Sequence, residues 1–191
     1  MRTAEYKRKT RETEITAKVN LDGSGISEID TGIKFLDHML TSLATHSLID
    51  LNIKATGDLR HHIAEDTALV LGEALYQALQ QDKRITRFAD ASVPMDESLA
   101  VCSLDLGGRP YSVIDLGLVN PMTEDMANED ITHFMESLAI SLRANIHIQA
   151  TYGSNDHHRA EAAFKALARC LRKATGIDPR RTEAPSSKGI L

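Results

Sequence analysis

The chain has 191 residues, 42% of them hydrophobic, and its 22 basic and 27 acidic side chains give a net charge of −5. That is enough apolar material for a sizeable globular core, and mixed charge without a basic tract argues against nucleic acid as a partner. The longest apolar runs fall far short of the ~20 residues of a membrane helix, no signal-peptide pattern opens the chain, and Cys102 and Cys170 are isolated. A cytoplasmic protein with neither a membrane segment, a disulfide framework nor a thiolate zinc site is expected.

Met1 to Arg11 is charged and irregular and reads as an arm that orders only against something else. Thr13 to Leu21 alternates polar and apolar residues as a half-buried strand does. Asp22-Gly23-Ser24-Gly25 then supplies turn chemistry, and Ile26 to Ile29 is expected to return as the second strand of a hairpin. Phe35, Leu36, Met39, Leu40 and Leu43 share a helical face, which places a helix over Lys34 to Thr45. A strand over Asp50 to Thr56 and a helix from near His61 to about Gln81 follow. Lys83 to Pro94 reads as a connection. Strands over Ser98 to Leu106 and Pro110 to Leu116 come next, then a helix from about Glu129 to Ala144, a strand over Asn145 to Thr151 and a helix over His157 to Lys173.

The same order of elements is written twice, and single residues repeat with it. Leu21, Gly23 and Ser27 match Leu106, Gly108 and Ser112 at an offset of 85. His38, Ser42, Leu43 and Ala44 match His133, Ser137, Leu138 and Ala139 at 95, as Ile53, Ala55 and Thr56 match Ile148, Ala150 and Thr151. One inserted residue near Tyr152 then gives the offset of 96 that relates His61-His62-Ile63-Ala64-Glu65 to His157-His158-Arg159-Ala160-Glu161. Self-similarity of this kind sets the fold class: an α+β protein with an internal duplication, its halves (1–94 with the N-terminal arm, 95–191 with the C-terminal tail) sharing one core.

The two HHxAE segments use four of only eight histidines. On a helix the first His and the Glu are four apart on one side, and the second His lies three before the same Glu, spacings from which side chains converge on a cation. Adjacent histidines point about 100° apart, so each pair is expected to split between two metal ions. His38 and His133, at matching places, lie roughly 130° and 150° from the apolar stripe of their helices and join the ligand set. His46 and His147 have no repeat partner and read as surface residues. Six imidazoles and two carboxylates make two sets of three His and one Glu, with nitrogen and oxygen donors that suit manganese, iron(II) or zinc. The helix N-termini that carry them disfavour a cation, a cost that Glu65 and Glu161 have to offset.

Arg87, Arg109, Lys165 and the tail Ser186-Ser187-Lys188-Gly189 supply donors suited to phosphate. Spacing alone assigns none of them.

The segments Leu21-Asp22-Gly23-Ser24-Gly25, Phe35-Leu36-Asp37-His38-Met39, His61-His62-Ile63-Ala64-Glu65-Asp66, Gly107-Gly108-Arg109-Pro110-Tyr111, Thr132-His133-Phe134, Asn155-Asp156-His157-His158 and Ser186-Ser187-Lys188-Gly189 resemble, in order, imidazoleglycerol-phosphate dehydratase of histidine biosynthesis. The resemblance implies a helical layer between two mostly four-stranded sheets (the ribosomal S5 domain 2-like arrangement) and an octahedral homo-oligomer of twenty-four copies with active sites at subunit contacts. It also implies two manganese ions per active site, bound by His38, His61, His62, Glu65, His133, His157, His158 and Glu161. In the family pattern R-x-T-x-E-T the first position falls on Arg8 and the glutamate on Glu12, the acid/base candidate. By the same carry-over Arg87, Arg109, Lys165, Ser187 and Lys188 hold the substrate phosphate.

The implied reaction removes water from imidazole glycerol phosphate to give imidazole acetol phosphate, a hydro-lyase step. The carbon-bound proton is not activated by a carbonyl, so the substrate's own ring, held by metal as imidazolate, is the expected electron sink, through a diazafulvene-like intermediate. Many members carry a longer acidic loop before the first His-His, whereas Gly57-Asp58-Leu59-Arg60 leads straight into it, which leaves the shape of the entrance open. A dehydratase without the phosphatase domain of bifunctional relatives is expected. Two other readings remain: a two-metal phosphate-ester hydrolase, and a storage or assembly protein with closed structural metal sites.

Overall fold

A computed structural model describes residues 1–187. The first half runs β1 (Thr3–Lys9), β2 (Thr13–Asn20), β3 (Ser27–Asp30), α1 (Lys34–Ser47), β4 (Asp50–Gly57) and α2 (Arg60–Leu79). The second runs β5 (Phe88–Met95), β6 (Ser98–Asp105), β7 (Tyr111–Asp115), the short β8 (Met122–Thr123) and β9 (Met126–Ala127), α3 (Asn128–Leu142), β10 (Asn145–Tyr152) and α4 (Asp156–Ala174). The sheets have the order β1-β2-β4-β3 and β5-β6-β10-β7, with β8-β9 as a separate two-stranded ribbon.

The duplication holds at the level of register. Thr3 faces Asn20 as Phe88 faces Asp105, and β4 lies antiparallel to β2 and parallel to β3, as β10 does to β6 and β7. The C-caps of α1 and α3, Leu48 and Arg143, both take a left-handed backbone, with φ of 60° and 56°. The ladder between β6 and β10 shifts register between Ala150 and Tyr152, where the repeat gains its extra residue.

Three expectations are corrected. Met1 to Arg11 is no loose arm: Thr3–Lys9 is an edge strand paired along its length with β2. Ile26 to Ile29 does not close a hairpin on β2; Ser27–Asp30 pairs in parallel with β4, which sits between them. The turn before it is shaped by Asp50, whose Oδ1 accepts from the backbone N–H groups of Ser24 (2.8 Å), Gly25 (3.0 Å) and Ile26 (2.9 Å). The stretch read as a connection contains the strand Phe88–Met95, the counterpart of β1.

Each strand turns one face inward: Ile15, Ala17 and Val19 on β2, and at the same places Ala100, Cys102 and Leu104 on β6. Helices α1 and α2 cover the first sheet, α3 and α4 the second, and the pairs meet with α2 against α3 and α1 against α4. Leu36, Met39, Leu40, Leu43, Leu71 and Leu75 are almost wholly removed from water, and burial of such a side chain contributes about 1.5–3 kcal/mol. The α2–α3 contact closes on Gly72, where a Cβ would lie 2.7 Å from Ser141 Cβ, so only hydrogen fits. Among the described residues no helix is long and apolar enough to cross a membrane.

Candidate metal centre

Both HHxAE segments fold as the first turns of α2 and α4. Asn155 caps α4 by accepting from His157 N (2.9 Å) and His158 N (3.4 Å), whereas α2 starts at Leu59 without a side-chain cap. The first His of each pair and the Glu four residues on share a side, as their spacing requires. Each then meets a third candidate ligand from a helix of the other half.

In one cluster His61 Nε2 lies 4.0 Å from Glu65 Oε2, and His133 Nε2 of α3 lies 3.6 Å from Glu65 Oε1. The two imidazoles stack, with centroids 5.4 Å apart and planes 14° from parallel. In the other, His157 Nε2 and His38 Nε2 of α1 stand 3.4 and 3.6 Å from Glu161 Oε2. In each triad the three ligand atoms lie within 4.8 Å of one another. The chemistry of the donor sets, two imidazole nitrogens and one carboxylate oxygen, fits a borderline divalent cation. The α1–α4 and α2–α3 contacts therefore decide which histidines meet: His38 joins the second half's glutamate, and His133 joins the first half's.

The second histidines, His62 and His158, belong to neither triad. His62 Nδ1 bonds Asp58 Oδ1 at 2.8 Å, and His158 Nδ1 bonds Glu97 Oε2 at 2.6 Å. Adjacent ring centroids are 6.1 Å apart in both pairs, and only the first histidine of each pair belongs to a triad. The hydrogen bond to Asp58 raises the His62 pKa above its ordinary value, and the bond to Glu97 does the same for His158.

Four carboxylates that the sequence reading did not single out serve these rings. Besides Asp58 and Glu97, Asp130 Oδ1 lies 2.6 Å from His61 Nδ1, and Glu124 Oε1 lies 3.1 Å from His157 Nδ1. Nδ1 is thus engaged in all four histidines and Nε2 is left to act as a ligand, the arrangement that holds metal-binding imidazoles in one orientation. They also add negative charge opposite the helix dipoles. Asp58 was legible four residues before His62, and Glu97 is the repeat counterpart of Glu12; Asp130 and Glu124 come from distant elements and left no local signal. The β8–β9 turn that carries Glu124 also carries Asp125, which accepts from Lys34 N and Phe35 N, both at 2.9 Å, and so caps α1.

Glu161 is buried and Glu65 is not. Burial pushes the Glu161 carboxyl upward, but Lys165, bound to Oε1 at 2.8 Å, with His38 and His157, outweighs it and leaves the pKa below its ordinary value. Lys165 therefore borders the second cluster. Glu12 stands in the turn between β1 and β2, its Oε2 3.9 Å from His62 Nδ1. That turn is tied to α2 by Asp66, which pairs with Arg8 and accepts from the Thr13 hydroxyl.

Arg87 and Arg109 make their contacts elsewhere. Arg87 is committed to Asp105 (Nε–Oδ1 2.6 Å, Nη2–Oδ2 3.1 Å) and to the Pro185 carbonyl at 2.8 Å, so it holds the C-terminal tail. Arg109 is exposed beside the start of β7, its carbonyl accepting from Asn145 Nδ2 at 2.6 Å. Ser187 is exposed in the tail, and Lys188 lies outside the described residues. His147 is exposed on the outer face of the second sheet, and His46 is half-buried; burial lowers the His46 pKa.

A family model described as imidazoleglycerol-phosphate dehydratase matches residues 31–171. A protein of that name from Dehalococcoides mccartyi is 53% identical over 191 residues, covering 100% of this chain and 97% of the relative. One from Methanococcoides burtonii is 50% identical, with 100% of both chains covered. The solved structure of IGPD from Pyrococcus furiosus superposes with a TM-score of 0.85 at 40% identity, covering 97% of this chain and 99% of that one.

Proposed function

The chain belongs to the imidazoleglycerol-phosphate dehydratase family, hydro-lyases of histidine biosynthesis, and on that premise we propose that its two triads hold two manganese ions that act on one substrate ring. The observation that carries the proposal is the repeated pairing of two Nε2 atoms with one glutamate, in triads whose His61 and His157 rings are each met at Nδ1 by a carboxylate. His62 and His158 complete the sets in copies of the chain that meet at the site, giving three imidazoles and one carboxylate per ion within an octahedral homo-oligomer of cytoplasmic enzyme. When bound, the two ions supply the electron sink that a substrate without a carbonyl lacks, by stabilising charge on its imidazole.

Glu12 is the acid/base. It takes the proton from the carbon that keeps its hydroxyl, while hydroxide leaves the carbon next to the ring and departs as water. Returning a proton to that second carbon converts the enol to the ketone. Arg109, Lys165, Ser187 and Lys188 hold the phosphate by hydrogen bonds, and Arg87, bonded to the Pro185 carbonyl, holds the tail that leads to Ser187.

The test is turnover of imidazole glycerol phosphate by protein stripped with a chelator, before and after manganese is restored. Ketone forming only after restoration, with no free phosphate, is expected. Release of inorganic phosphate would favour a two-metal hydrolase, and assembled, fully metallated protein that makes no ketone would overturn the proposal.

A further inference from the structure

The offset of 85 that relates Leu21 to Leu106 also relates Glu12 to Glu97. Both lie in the turns of matching hairpins, between Lys9↔Glu14 in β1–β2 and between Pro94↔Leu99 in β5–β6, and both stand against the second histidine of an HHxAE segment. Their surroundings differ. Glu97 Oε1 accepts from Ser154 N (3.0 Å), Asn155 N (2.9 Å) and the Ser98 hydroxyl (2.9 Å), and Oε2 takes His158 Nδ1 at 2.6 Å. The Ser154 and Asn155 donors are delivered by the β10–α4 loop, which presses onto the hairpin at Gly153. There φ is +153° and a Cβ would lie 2.1 Å from Ser98 Oγ.

In the first half the corresponding loop does something else. Asp58 N donates to the backbone carbonyl of Glu12 at 3.0 Å, not to its side chain, and Asp58 itself takes His62 Nδ1 at 2.8 Å. The Glu12 carboxylate keeps only a 3.9 Å approach to His62 and is 58% exposed. One half thus has its glutamate locked in place and the other has it open.

We propose that Glu97 is a positioning residue: it holds His158 by Nδ1 so that Nε2 is presented as a metal ligand. The duplicated hairpin tip has divided its labour, with Glu12 left open for proton transfer and Asp58 doing for His62 what Glu97 does for His158. Asp96, whose Oδ2 lies 3.7 Å from His158 Nε2, neighbours the outward nitrogen. The proposal rests on the reading of His158 as a ligand.

The test is manganese titration of the assembled, chelator-stripped enzyme, counting bound ions per chain by the electron paramagnetic resonance of the free ion, with turnover followed on the same samples. In Glu97→Gln, one of the two ions per chain is expected to bind about ten- to a hundredfold more weakly, the range for losing a carboxylate behind a ligand histidine. Turnover is expected to recover as manganese is raised. Glu97→Asp, which keeps the charge, lies between Gln and wild type and serves where Gln fails to assemble. Glu12→Gln binds both ions as wild type does, and its lost turnover is not restored at any manganese concentration. Wild-type affinity at both sites in Glu97→Gln and Glu97→Asp would overturn the proposal, as would turnover that stays lost at saturating manganese. His158→Ala separates the premise: if it keeps both ions at wild-type affinity, the ligand assignment fails rather than the role of Glu97.

Discussion

Phe35 and Asp130 stand at the same place in the two halves, at the offset of 95, and meet the histidine before them in different ways. Asp130 takes Nδ1 of His61 at 2.6 Å, whereas the Phe35 ring packs edge-on against His157 at a centroid separation of 5.1 Å. His157 relies instead on Glu124, which is 62% exposed where Asp130 is 7%. The triads are related by the repeat but differ in their support. Asp130→Ala is therefore expected to weaken the ion at His61, Glu65 and His133 by about ten- to a hundredfold. Glu124→Ala should weaken the other ion less, because an exposed, screened partner constrains a ring less firmly. Manganese titration of each variant reads both affinities, and equal losses would contradict the asymmetry.

The candidate ligands cross between halves, since His38 Nε2 lies 3.6 Å from Glu161 Oε2 and His133 Nε2 lies 3.6 Å from Glu65 Oε1. A double-mutant cycle on metal affinity checks this. His38→Ala with Glu161→Gln should show a coupling of about 1 kcal/mol or more, and His38→Ala with Glu65→Gln should be additive to within about 0.5 kcal/mol. The reverse pattern would assign His38 to its own half.

Glu12→Gln removes the proton carrier without touching the triads. A fall in kcat of about 10²–10⁴-fold is expected, with the manganese content and oligomer size of the wild type. Steady-state kinetics beside metal analysis decides it; a near wild-type kcat would remove Glu12 from the reaction.

The edge strand β1 is fastened by Arg2, which is 7% exposed, bonds the Thr175 carbonyl at 2.7 Å and pairs with Asp22 at 2.6 Å. Arg2→Ala should cost about 1–2 kcal/mol, a value discounted because Asp22 is about a third exposed, or roughly 2–8 °C in Tm for a chain of this size. The hydrogen bond from Arg2 leads the causes that lower the Asp22 pKa. A lowered carboxylate pKa stabilises the fold above the unfolded value, about 3.9, and that stability is lost as pH falls through the folded value. The gap in Tm between wild type and Arg2→Ala should be full at pH 6–7 and narrow below about pH 4. A gap that does not change with pH would mean that Arg2 acts by packing alone.

Much of this protein was legible in its sequence because the sequence says most things twice. Helical spacing located α1 to α4, alternation located β2, β4, β6, β7 and β10, and the offsets of 85, 95 and 96 gave the same order of elements in both halves and one inserted residue near Tyr152. Besides the two-residue β8 and β9, the strands that escaped are β1 and β5, both sheet edges. Their inward residues are few and mostly small, such as Ala4, Tyr6, Ala89 and Ala91, and β5 contains Pro94, which an edge tolerates. Periodicity also named six histidines and two glutamates as a ligand set, since spacing along one helix is a local property. Only the tertiary structure decided how that set divides. The packing of α1 on α4 and of α2 on α3 carries His38 and His133 across to the other half's glutamate, and loops far apart in sequence bring Asp130, Glu124 and Glu97 behind the rings. Spacing along a chain is written in the chain, whereas contact between helices depends on how buried faces fit together, and no single segment encodes that fit.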